Sequence, residues 1–159
     1  MTPLTRQILD GLAADDAEAF LAAAETIRAF KFGTGSNVGI VQPYAEMLAT
    51  SPPTIEDIAA IKAVLIDYIE ANRGSNLACA IYAVGTLNDA DVVRLLRDAL
   101  ARHLRTFLGQ NQVVGNLICA LNNHGEHVIS AGSYSLSEID KNVADARRYL
   151  ARFGGVVPW

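Results

Sequence analysis

Apolar residues recur along this chain every three or four positions with polar residues between them, and that spacing predicts α-helices. The clearest is expected over residues 89–108. Over 136–153, Ile139, Val143, Ala146, Leu150 and Phe153 stand four and three positions apart, which places all five on one stripe. Pro3 and Thr5 open a short helix ending near Ala13. A second starts at Asp15 with Phe20, Ala24, Ile27 and Phe30 as its buried stripe, and the glycines of the run GTGSN (33–37) stop it. A helix over 38–49 contains Pro43, which either kinks it or begins it as the first helical residue. After Pro52 and Pro53, Thr54 and Asp57 match a capping box; Ile58, Ile61, Leu65, Tyr68 and Ile69 follow on one face, up to Asn72-Arg73-Gly74. Ser75 or Asn76 caps the next helix, which reaches Leu87. Residues 112–123 form another, and Ser135 with Glu138 makes a second capping box for the last, closed by Gly154 and Gly155. Residues 128–135 are the single strand candidate, and a weak one.

The later helices pair as 38–49 with 54–72, 76–87 with 89–108, and 112–123 with 136–153. Residues 1–32 supply amino-terminal helices and 154–159 an apolar tail, all in one domain. The first members of two pairs, NLACAIYAVGTLND and NQVVGNLICALNN, both end in an apolar turn followed by Leu-Asn. In the second pair Asp91 and Arg97 stand six apart. On these residues the stretch 37–153 resembles the HEAT and armadillo style of α-solenoid. The resemblance implies antiparallel helix pairs stacked into a surface that grips other macromolecules. The third pair departs from it through the insertion 124–135, and the first lacks the Asp/Arg pair. An irregular helical bundle accounts for the same helices. Either way the expected class is all-α, with about seven helices.

A length of 159 residues suits one domain with a real core. No apolar run approaches the ~20 residues that cross a bilayer. The Ala-rich stretch 17–24 comes nearest, but Glu18 and Glu25 bracket it and Asp15 and Asp16 precede it. Without a basic start and an unbroken apolar stretch there is no secretory signal, so a cytoplasmic location away from membranes is expected. Cys79 and Cys119 sit in the apolar patterns LACAIYAV and NLICAL, where reduced cysteine acts as a small buried hydrophobe. Charge divides unevenly. Residues 1–72 carry ten acids and four bases, a net of −6, and residues 73–159 carry seven acids and nine bases, a net of +2. The acidic part is ill suited to a phosphate backbone, which selects clustered Lys and Arg, and better suited to a basic protein surface. Two solvated faces are the competing account.

Candidate chemistry is sparse. In NNHGEH (122–127), His124 and His127 stand three apart with Glu126 between them, a donor set that could hold zinc or iron. Glu126, Asp140 or His103 would have to supply a third ligand. Metalloprotease histidines stand four apart on a helix, whereas this run contains glycine and reads as a polar turn. His103, beside Leu100, Leu104 and Phe107, reads as a packing residue at the edge of an apolar stripe. The glycines of GTGSNVG (33–39) follow a helix and lack Gly-Lys-Ser/Thr, so they end a helix and do not cradle phosphate. No GxSxG occurs, and neither cysteine has a histidine or helix start nearby to lower its pKa. Arg94, Arg97, Arg102, Arg105, Arg147, Arg148 and Arg152 are either a weak anion or RNA site or a set of solvated helix faces. Asn111, Gln112, Asn116, Asn122 and Asn123, with Tyr134 in the following loop, suit a polar recognition surface.

Size, acidity, cytoplasmic character and the lack of catalytic motifs are similar to those of bacterial immunity proteins, which neutralise a cognate toxin. By that analogy an acidic face meets the toxin's basic cleft. The resemblance implies partner-binding roles for Glu46, Glu56, Asp57, Asp67 and Glu70, or for Asn122, Asn123 and Tyr134 around the 122–134 loop. It implies no catalytic residue and no cofactor, with another protein as partner and no nucleic acid or membrane. Two other readings stand beside it. One is a small metal-dependent or ligand-binding helical protein centred on His124, Glu126 and His127. The other is a structural subunit docking through 156–159, unless Trp159 tucks against its own body.

Overall fold

In a computed structural model of the chain, residues 1–32, 44–71, 74–87, 89–105, 111–130 and 136–154 are described. Among them run eight α-helices and one 3-10 turn, with no strand. The helices are α1 (Pro3–Ala13), α2 (Ala17–Phe32), α3 (Tyr44–Thr50), α4 (Ile55–Glu70), α5 (Leu77–Val84), α6 (Ala90–Arg105), α7 (Asn111–Asn123) and α8 (Ile139–Ala151). None is long and apolar enough to cross a membrane. The chain is all-α, as its periodicity predicts, and divides after Leu87 into two compact units.

Local chemistry sets most helix starts. Pro3 occupies the first position of α1, where its missing N–H would have had no partner, and the Thr2 hydroxyl accepts the Thr5 N–H at 3.2 Å. The Thr54–Asp57 box forms as expected. The Thr54 hydroxyl accepts the Asp57 N–H at 3.2 Å and the Asp57 carboxylate accepts the Thr54 N–H at 3.0 Å. α2 starts later than Asp15, because Asp16 accepts the Ala19 N–H at 2.7 Å and so caps the helix. The second expected capping box, Ser135 with Glu138, falls partly outside the described residues. A 3-10 turn (Leu136–Glu138) precedes α8, leaving Glu138 at the cap position with no side-chain cap bond.

In the first unit α1 packs on α2, α2 on α5, α5 on α4 and α4 on α1, which closes a four-helix ring with α3 appended to α1. Leu4, Ile8, Phe20, Ile27, Ile61, Leu65, Ile69 and Ile81 fill it and are almost wholly buried. Each such side chain contributes about 1.5–3 kcal/mol relative to exposure. Gly11 lets α1 approach α2. A Cβ there would stand 3.0 Å from the Ala19 carbonyl oxygen and 3.1 Å from the Ala23 Cβ. In the second unit α6 packs on both α7 and α8, burying Val92, Leu96, Leu100, Leu117, Ile118, Leu121, Ala146 and Leu150.

Helix pairing is offset from the expected one. α4 packs chiefly on α5 and α1, and α6 on α7, while α3 rests on α1. With seven residues, α3 offers less than two full turns to a partner. Three side chains also differ from expectation. Phe30 is only half-buried, and Phe153 lies beyond the end of α8 with 53% of its surface exposed. Cys119 is exposed, because the buried stripe of α7 runs through Val114, Leu117, Ile118 and Leu121 and leaves position 119 off that stripe; Cys79 is half-buried. The runs 33–43, 131–135 and 155–159, together with Phe107, lie outside the described residues.

Candidate functional site

The acidic candidates all fall in the first unit but not in one cluster. Glu46 is exposed in the first turn of α3, Glu56 in the first turn of α4, and Asp67 and Glu70 in the last turn of α4. Asp57 is not available to a partner. Only 3% of it is exposed. One carboxylate oxygen accepts the Thr54 N–H and hydroxyl at 3.0 and 2.9 Å, and the other accepts the Thr2 N–H at 3.3 Å. The backbone bond from Thr54 leads the set that holds this carboxyl below its ordinary range against the opposing effect of burial. Asp57 therefore ties the start of α1 to the start of α4. The spacing of Thr54 and Asp57 implies the local cap, not the tie to α1.

Asp67 has a different setting. The end of α1, the second half of α4 and the turn into α5 border a groove of about 610 Å³. Leu12 and Val64 give it an apolar wall, and Asp15, Asp67, Tyr68 and Asn76 give it polar groups. The Tyr68 ring is held by Phe20, with centroids 5.0 Å apart and planes tilted by 50°. Gly74, at φ +62°, turns the chain past the Tyr68 hydroxyl. A helix carries partial negative charge at its carboxyl end, where cations are favoured. Yet the last turns of α1 and α4 hold no basic residue, and α4 places Asp67 and Glu70 there. Neither Asp15 nor Asp67 pairs with a cation among the described residues. Asp15 and Asp67 thus place two carboxylates along an apolar wall, with the carboxyl end of α4 adding to the negative potential at Asp67, an arrangement that can receive a cation with an aliphatic stem.

A second recess, about 410 Å³, is lined by Phe30, Leu48, Pro52, Pro53, Ile58 and two alanines, with no charged side chain.

In the second unit, the run 122–127 is tied into its own surroundings. The Asn122 side chain accepts the Val128 N–H at 2.9 Å. The Glu126 carboxylate accepts a bond from the Arg97 guanidinium at 2.7 Å and another from the Tyr149 hydroxyl. The Arg97 Nε–H donates to that same hydroxyl at 2.7 Å, and the guanidinium lies 3.8 Å over the Phe153 ring. Burial, reinforced by the bond to Glu126, pushes the Tyr149 hydroxyl up to about 12. Burial would raise the Glu126 carboxyl too, but the bonds from Tyr149 and Arg97 and the Arg97 charge hold it below its ordinary range. Farther on, Asp145 accepts the Ser130 N–H at 3.1 Å and hydroxyl at 2.9 Å, and pairs with Arg148.

These bonds bear directly on the metal reading. Glu126 is spent on Arg97 and Tyr149, His127 is exposed at φ +46°, and His124 is half-buried. Among the described residues no three His, Cys, Asp or Glu side chains gather to hold a metal ion. His103 is buried within α6, beside the buried Leu100 and Leu104. Of the amide set, Asn122 is engaged internally, Asn123 is exposed, and Tyr134 lies outside the described residues. Arg97 stands on α6 six positions after Asp91, where the two face different directions. Its carboxylate comes from the 124–130 segment instead.

Asp15, Tyr68, Asn76 and Leu12 line the groove without any motif in the sequence to mark them. Asp67, in the last turn of α4, is the sequence candidate that lines it. Comparison with protein-family models, curated proteins and solved structures gives no match to this chain.

Proposed function

We propose that this chain is a non-catalytic, cytoplasmic binding protein that holds a basic partner protein on its acidic first unit. Bacterial immunity proteins hold toxins in this manner. The observation that carries the reading is the pair Asp15 and Asp67 along an apolar-walled groove, at helix ends where the chain supplies no cation of its own among the described residues. Asp67, placed against the local electrostatic preference at the carboxyl end of α4, destabilises the isolated protein slightly, and a cationic partner offsets that cost. Glu46 and Glu56, exposed on α3 and α4, extend the same sign of charge and would steer a basic partner toward this unit. The Arg97–Glu126–Tyr149 cluster, by contrast, is bonded within itself and serves as structure.

The test is native mass spectrometry of the complex purified gently from the source organism. The expected result is one stoichiometric polypeptide with a basic surface. It should be released by raised salt and by Asp15→Lys with Asp67→Lys, but retained by Arg94→Glu with Arg102→Glu. Retention by the first double variant, or co-purification of nucleic acid alone, would refute the reading.

A further inference from the structure

We infer that the groove bordered by α1 and α4 is a socket for an arginine side chain of the partner polypeptide. This rests on the reading that the partner is a basic protein, and it names the group recognised. Three properties of the groove select that group. Leu12 and Val64 form a wall along which a three-carbon stem can lie while its charged end stays on the polar side. Tyr68 lines the same groove with a ring already immobilised against the fully buried Phe20, so stacking a planar cation on it orders little that is not already ordered. Asp15, just past the end of α1, and Asp67, on α4, approach from two different elements, and each can accept charge-assisted bonds from a forked donor.

A guanidinium satisfies all three conditions, since it is planar, is more weakly hydrated than an ammonium, and presents several N–H groups in a fixed plane. A lysine ammonium uses the carboxylates but gains less from the ring. At about 610 Å³ the groove exceeds the needs of one side chain, so an extended segment on either side of the arginine enters with it. The Asn76 side chain at the rim offers an amide to that segment's backbone.

The experiment is a titration of the full-length, nitrogen-15-labelled protein with three capped pentapeptides, Gly-Gly-X-Gly-Gly, where X is arginine, lysine or norleucine. A nona-arginine peptide serves as a separate probe of general basic binding. The expected result is amide shifts at Ala13, Asp15, Val64, Asp67 and Tyr68 with the arginine peptide. Lysine should bind about two- to fivefold more weakly, the size of a ring–cation contribution, and norleucine should leave the groove unperturbed. Asp67→Asn should weaken both cationic peptides about tenfold, the loss of a charge-assisted bond. Tyr68→Leu should abolish the preference for arginine over lysine. Because Tyr68 also packs on Phe20, Tyr68→Phe is the paired variant; it keeps the ring and should keep the preference. Equal binding of arginine and lysine peptides would overturn the socket while leaving the basic-partner reading intact. So would nona-arginine binding with shifts only outside the groove. Failure of nona-arginine to bind at all would overturn both.

Discussion

Two sets of carboxylates in this molecule have opposite settings. In the second unit Glu126 sits among donors from other segments, Arg97 and Tyr149, and Asp145 receives Ser130 from the preceding segment and Arg148 from the next turn of its own helix. Asp15 and Asp67 in the first unit have no cationic partner among the described residues, and Asp67 stands at the end of a helix that disfavours it. The first pair are held below their ordinary pKa by the bonds they receive. An acid whose bonds are all internal contributes to the fold, and one left against the local field is available to something else. The contrast separates acids that build this protein from acids that could serve it, although their residue types are identical.

The largest expected effect comes from breaking the internal set. Arg97→Ala strips Glu126 of its cation and Tyr149 of a donor, and removes the stack on Phe153, so urea unfolding should show a loss of about 2–3 kcal/mol. Arg97→Lys keeps the charge but not the fork and should recover about half of that loss. Equal stability of Arg97→Ala and the parent would show that the cluster is not structural, and the contrast would fail. A comparable loss, about 1–3 kcal/mol, is expected for Gly11→Ala in the first unit, because the new methyl meets the Ala19 carbonyl oxygen and the Ala23 methyl. Gly11→Ala therefore provides a control: the unit that bears the groove can be destabilised at its helix crossing, but not at its groove acids.

pH sharpens the same contrast. Glu126 and Asp145 have depressed carboxyl pKa values in the folded protein, so their contribution is fully present above the unfolded value of about 4 and is lost as pH falls through the folded one. Tyr149 acts at the other end. Its folded value is raised to about 12 from 10, so the neutral hydroxyl stabilises the fold below pH 10 and that contribution is lost as pH climbs toward 12. Denaturation midpoints measured from pH 8 to 11.5 should decline above pH 10. In Tyr149→Phe the decline should be shallower, since phenylalanine has no proton to lose. An unchanged slope would assign the decline to other groups.

Much of the fold was legible because helices announce themselves locally. Pro3, the Thr54–Asp57 box and the four-residue spacing of Ile61, Leu65 and Ile69 each act within a few residues of chain. Which helix packs on which was not legible. A stripe of apolar residues states that a face is buried, not what covers it, and so the pairing came out offset at α3 and α4. The sites divide in the same way. Asp57 could have been recognised as internal from its own capping box. The partners of Glu126 lie on α6 and α8, and the groove needs the end of α1 beside the end of α4. Both are meetings of distant segments, which no spacing rule encodes.

The smallest effect carries the most information about function, because its sign is opposite to the rest. Asp67→Asn removes a negative charge from the carboxyl end of α4, where a cation would be favoured. If Asp67 were part of the fabric, its loss would destabilise the protein as the loss of Arg97 does. If it is held in reserve for a partner, the free protein should gain about 0.3–1 kcal/mol, the range of a surface charge near a helix end, with the gain shrinking in high salt. The same variant should bind the arginine peptide more weakly. A stabilised protein with a weakened ligand is the pattern expected where a sequence breaks a local rule for the sake of a site. A destabilised Asp67→Asn would instead place Asp67 with Glu126 and Asp145 and leave the groove without its principal support.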